Sequence, residues 1–124
     1  MIKKIDHISI AVENLEEEII KFRDLLGLEF HGSEEVPEQK VKVSFFRVGD
    51  VNIELTAPTQ EDSPIAKFIS KRGPGIHHMA FEVDDIDAQI KEFKAKGLRM
   101  IDEQPKIGAE NAKIAFAHPK SLSG

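Results

Sequence analysis

Residues 5–12 read IDHISIAV and residues 76–83 read IHHMAFEV. An offset of 71 residues sets Ile5 on Ile76, His7 on His78, Ile10 on Phe81 and Val12 on Val83. The match runs on through Leu15 and Ile86, Ile19 and Ile90, and Phe22 and Phe93. After a one-residue deletion, Gly27-Leu28 falls on Gly97-Leu98. A shared apolar rhythm alone would mean little. The shared histidine, helix frame and closing Gly-Leu together indicate a duplicated unit.

Each copy opens as a strand. Ile8, Ile10 and Val12 point one way, and His7, Ser9 and Ala11 the other. A helix follows, with Asn14 as N-cap and Glu17 placed for a capping box. Leu15, Ile19, Phe22 and Leu26 form its expected buried stripe, and Gly27 its C′ residue. The second copy starts at Asp84 or Asp85, buries Ile86, Ile90 and Phe93, and stops at Gly97. Residues 41–48 and 51–57 are β-branched and aromatic around a Gly49-Asp50 turn, with a further short strand possible near 28–34. Ser63-Pro64 begins a connecting helix carrying Ile65, Phe68 and Ile69, and Gly73-Pro74-Gly75 breaks it. In the second copy, 99–103 and 112–117 are the strand candidates. We therefore expect one α+β domain over 1–124, with module one about 1–57, a connector 58–75 and module two 76–124. Repeat logic puts the counterpart of residues 51–57 after Gly124, so the second module lacks its final strand in this chain.

Composition narrows the function. The 124 residues carry 17 basic and 22 acidic side chains, for a net charge of −5. An acidic chain has little to neutralise a row of phosphates, so no nucleic-acid partner is expected. No apolar run is long enough to span a bilayer, so no membrane partner is expected either. We expect no signal peptide and a cytoplasmic setting. With no cysteine, disulfides, thiolate metal sites and a cysteine nucleophile are excluded. Gly73-Pro74-Gly75 satisfies no phosphate-loop or dinucleotide pattern.

On the return strand, Asn52, Glu54 and Thr56 share one face. His7, Glu54 and His78 each lie on the less apolar side of a strand whose other side suits helix packing. Two imidazoles and a carboxylate are apt ligands for a divalent ion. A lone strand histidine is more often structural; the repeat-matched pair beside a glutamate sets a metal site against that plainer reading. His77 points to the opposite face by alternation and is the weaker candidate. His31 and His118 lie near loops, and Glu38, in Val36-Pro37-Glu38-Gln39, reads as a loop carboxylate.

The paired DHISIAV and HHMAFEV strands and the helix ending FRDLLGL resemble the vicinal oxygen chelate (glyoxalase/bleomycin resistance/dioxygenase) superfamily. Within it, DSPIAKFI, RGPGIHH and HPKS resemble the methylmalonyl-CoA epimerase family across essentially the whole chain. The resemblance implies two tandem βαβββ modules forming a curved mixed sheet around a metal cleft, and a homodimer. It implies metal-dependent epimerisation of methylmalonyl-CoA by α-proton abstraction and reprotonation through a metal-stabilised enolate. It implies His7, Glu54 and His78 as ligands of a divalent metal ion, Co²⁺ first and Mn²⁺, Ni²⁺ or Zn²⁺ otherwise. It raises Glu38 to the first choice of catalytic base, and puts a fourth ligand and second acid/base group after Gly124. A glyoxalase I-like lyase or isomerase, or a metal-free small-molecule binding protein on the same scaffold, are the alternatives.

Overall fold

The two strands that carry the repeated histidines lie side by side. In the computed structural model, which describes residues 1–124, these are β1 (Ile2–Ala11) and β5 (Gly75–Val83). With β2 (Glu29–Val36), β3 (Val41–Val48) and β4 (Val51–Pro58) they form a five-stranded mixed sheet in the order β2-β3-β4-β1-β5. β1 runs parallel to β4, while β2-β3 and β3-β4 are antiparallel. The expected extra strand is thus present as β2, which makes module one βαβββ. His31, expected near a loop, sits within it, exposed and paired with Glu29.

Period-2 alternation sorts the sheet into two faces. On one, Phe46 and Leu55 are wholly buried beside Val12, Leu15 and Ala57. Helix α1 (Leu15–Ile20) supplies Leu15 and Ile19 to this cluster. Each of these large side chains contributes about 1.5–3 kcal/mol by leaving water. Asn14 caps α1 as expected, its side chain accepting from the Glu17 N–H at 3.1 Å.

The helix does not keep its frame. Residues Lys21–Leu25 form a π turn, in which the Leu26 N–H donates to the Lys21 carbonyl at 3.1 Å. The wider turn rotates Leu26 off the buried stripe, leaving it 63% exposed, and Leu28 packs in its stead. The second copy explains why. There the Leu98 N–H closes onto the Phe93 carbonyl at 2.9 Å; in the first, Leu28 closes onto Phe22 at 3.1 Å, across one residue more. The residue that the two copies do not share is absorbed as the π turn. Gly27 and Gly97 both take the left-handed conformation that follows the closing turn, with φ of 70° and 91°.

Helix α2 (Pro64–Arg72) is capped by buried Ser63, whose hydroxyl oxygen accepts from the Ala66 N–H at 3.0 Å. Contacts divide the chain into two compact units, Ile5–Phe81 and a second formed by Met1–Lys4 with Glu82–Gly124. In the second, α3 (Ile86–Ala95) is capped by Asp85 and buries Ile90. The strand candidates there are reduced. Residues 99–103 contribute one bridge, Met100 to Ala117, and the remaining ladder is β6 (Lys106–Ile107) against β7 (Lys113–Ile114). The Phe116 N–H turns to the Asp102 carboxylate at 2.8 Å, so a side chain replaces the bond a longer ladder would use.

Candidate metal centre

Opposite the helix-packed face, register places His7 beside Asn52, Ser9 beside Glu54, and Ala11 beside Thr56. Ser9, Glu54 and Thr56 are buried, and the Ser9 and Thr56 hydroxyls lie 3.0 Å apart. β5 flanks β1 and brings in His78. The Nε2 atoms of His7 and His78 stand 3.1 Å apart, with the rings edge to face. Two nitrogen ligands about 2.0–2.1 Å from a single ion, set at right angles, are about 3 Å apart, so this spacing fits a shared cation. Glu54 approaches the same His7 ring from its other edge, Oε2 lying 3.4 Å from Nδ1. His7 thus stands between the other two candidates, with Glu54 near its Nδ1 and His78 at its Nε2.

Nearest-neighbour distances pick out a slightly different trio. Ligand atoms of Asp6, His7 and Glu54 lie within 4.8 Å of one another, and His78 is not among them. Asp6 Oδ2 is 2.8 Å from His7 Nδ1, a hydrogen-bond length, on the ring edge away from His78. The Nε2 pair has the length of an N–H···N hydrogen bond, and it is also close enough for both nitrogens to share one cation once that proton is lost. The donor set fits a divalent ion: two imidazoles and a buried carboxylate, without thiolates.

Burial pushes the His78 imidazole down to about 3, with the neighbouring His7 and His77 acting in the same direction. Burial also lowers His77. Its Nδ1 lies 2.8 Å from His78 Nδ1, and its ring stacks edge-on against Phe68 with centroids 4.8 Å apart. Asp6 and His77 are the site residues that alternation alone passes over. The available signal was positional: both immediately precede a repeat-matched histidine. Glu38 sits in a short 3₁₀ turn, Pro37–Gln39, between β2 and β3, and is exposed. His118 is occupied as an N-cap, accepting from the Lys120 N–H at 3.1 Å.

A mixed sheet built from repeated strand–helix units, with histidines from both repeats meeting on one face, defines the class. The model of the Glyoxalase/Bleomycin resistance protein/Dioxygenase superfamily matches residues 6–116. The human mitochondrial methylmalonyl-CoA epimerase is 37% identical over 122 residues, covering 98% of this chain and 69% of the human one. The ethylmalonyl-CoA/methylmalonyl-CoA epimerase of Cereibacter sphaeroides is 39% identical over 126 residues, covering 100% of this chain and 94% of that one. Among solved structures, a hypothetical protein of Bacillus halodurans superposes with a TM-score of 0.96 at 45% identity, over 98% of this chain and 88% of that one. A methylmalonyl-CoA epimerase in complex with methylmalonyl-CoA and NH₄⁺ superposes equally well, at 0.96 and 33% identity, over 100% of this chain and 90% of that one. The chain belongs to this superfamily and, within it, to the methylmalonyl-CoA epimerase family.

Proposed function

We propose that the protein interconverts the epimers of methylmalonyl-CoA with a divalent ion held by His7, Glu54 and His78. The observation that carries this reading is the meeting of the two imidazole Nε2 atoms at 3.1 Å, with buried Glu54 3.4 Å from Nδ1 of His7. A proton α to a thioester is too weakly acidic for a carboxylate to remove unaided. A divalent ion bound there would offset the negative charge that develops on the thioester oxygen as the proton leaves. His7 and His78 present nitrogen donors, and Glu54 adds a negative charge that the buried face would otherwise disfavour. Glu38, exposed at the β2–β3 turn, takes the α-proton as general base. Epimerisation is complete when an acid or water molecule on the opposite face gives a proton to the α-carbon, and Glu38 releases the one it took to solvent.

No helix is long and apolar enough to cross a membrane. We take the enzyme as a cytoplasmic homodimer. The dimer is supported by Met79 and Phe81 on β5, each 50% exposed, an apolar pair suited to a second copy.

The test starts from a single epimer of methylmalonyl-CoA, with ethylmalonyl-CoA and a glyoxalase substrate in parallel. Untagged protein should carry metal approaching one ion per chain and should scramble the methylmalonyl-CoA stereocentre. The His7→Ala, His78→Ala double variant should lose both properties. Full metal occupancy in that variant would overturn the ligand assignment, and turnover of the glyoxalase substrate alone would overturn the reaction.

A further inference from the structure

A neutral imidazole has one N–H and one lone pair, and only the nitrogen with the lone pair can hold a cation. A histidine ligand therefore needs a partner that fixes its tautomer. Both candidate ligands here have such a partner on the nitrogen that faces away from the centre. His7 Nδ1 lies 2.8 Å from Asp6 Oδ2, and His78 Nδ1 lies 2.8 Å from His77 Nδ1. We infer that Asp6 and His77 are positioning residues that hold His7 and His78 with their Nε2 lone pairs turned toward one ion. This inference rests on the metal reading above.

The chemistry differs between the two partners. An ionised carboxylate only accepts, so His7 carries its proton on Nδ1 and leaves Nε2 bare. His77 can donate or accept. It serves as an orienting group when its Nδ1 accepts from the His78 Nδ1–H, and its own proton then sits on Nε2. Its ring is fixed for that role by the edge-on contact with Phe68, over which the Arg72 guanidinium lies at 5.8 Å.

The two pairs are also equivalent in the duplication. His7 and His78 are 71 residues apart, and the same offset carries Asp6 onto His77. Each ligand is thus oriented by the residue just before it on its own strand. Adjacent strand side chains leave on opposite faces, but an imidazole Nδ1 lies close to its backbone. A short neighbour can reach it around the strand. Since a carboxylate makes its imidazole partner a stronger donor than a neutral ring does, Asp6 should matter more than His77.

The test measures Zn²⁺ affinity by competition with a chelating indicator, together with ¹H–¹⁵N correlations of the histidine rings in the metal-free protein. Asp6→Ala and His77→Phe should each weaken Zn²⁺ binding by about 10–100-fold, the usual range for partners of ligand histidines. Asp6→Asn and His77→Asn keep an acceptor oxygen beside the Nδ1 and should recover most of the affinity. In the metal-free protein the His7 ring should show a protonated Nδ1, which Asp6→Ala turns into a tautomer mixture. Unchanged affinity together with an unchanged ring pattern in Asp6→Ala and His77→Phe would overturn the inference. If the wild-type protein takes up no Zn²⁺, the metal reading fails, and the ring pattern of Asp6→Ala still decides the orienting role. Should His77→Phe fail to fold, the Asp6 variants decide, because that side chain is 45% exposed and lies outside the core.

Discussion

Glu38 is a carboxylate on a three-residue turn, with Pro37 before it and Lys40 after it in the left-handed conformation. A turn closed this tightly holds its residues where flanking strands β2 and β3 put them, which suits a group that must meet a substrate carbon. Glu38→Gln removes the proton acceptor and keeps the shape. It should slow epimerisation by about 10²–10⁴-fold, the range for a positioned base, with melting temperature and metal content unchanged. Deuterium uptake from D₂O into methylmalonyl-CoA would report the same loss. Wild-type turnover in the variant would remove Glu38 from the chemistry. At this scale the sequence was legible where period 2 alone decides: His7, Glu54 and His78 could be put on one face from strand alternation. The contacts of Asp6 and His77 could not, because they depend on side-chain reach around a strand and not on which face a residue leaves.

Among the elements, the helix starts were readable because caps are local chemistry. Asn14, Ser63 and Asp85 each accept from an N–H three residues ahead. Ser63 is wholly buried, so Ser63→Ala leaves the Ala66 N–H of α2 without its acceptor. It should lower stability by about 1 kcal/mol, within the 0.5–2 kcal/mol range for lost caps. Urea unfolding would measure this as a lower midpoint at an unchanged slope. The π turn was not readable within its own segment, since nothing in KFRDL distinguishes a wider turn from an ordinary one. Only the single-residue mismatch between the copies marks it. The strands after α3 were over-read for a related reason. Their composition suits a ladder, but the Asp102 side chain occupies the Phe116 N–H.

For the whole molecule, an ion that binds the folded chain and not the unfolded one adds stability by mass action. At 100 times its dissociation constant that is about 2.7 kcal/mol, on the order of 10 °C in melting temperature for a domain of this size. Chelator-stripped protein should therefore melt lower than protein reloaded with Co²⁺ or Zn²⁺. The difference should vanish in the His7→Ala, His78→Ala variant. An equal shift in that variant would place the stabilising ion elsewhere.

The adjacency of β1 and β5 also orders events in time. His7 leaves the ribosome 71 residues ahead of His78, roughly 4–14 s at ordinary synthesis rates. Through that interval the nascent chain offers one half of the His7–His78 pair and no clamp, and β5 must dock before the other half arrives. On the metal reading proposed above, capture of the ion would be a late step in the maturation of the protein. The choice among competing ions would then fall to the finished geometry rather than to whichever ion first meets the growing chain.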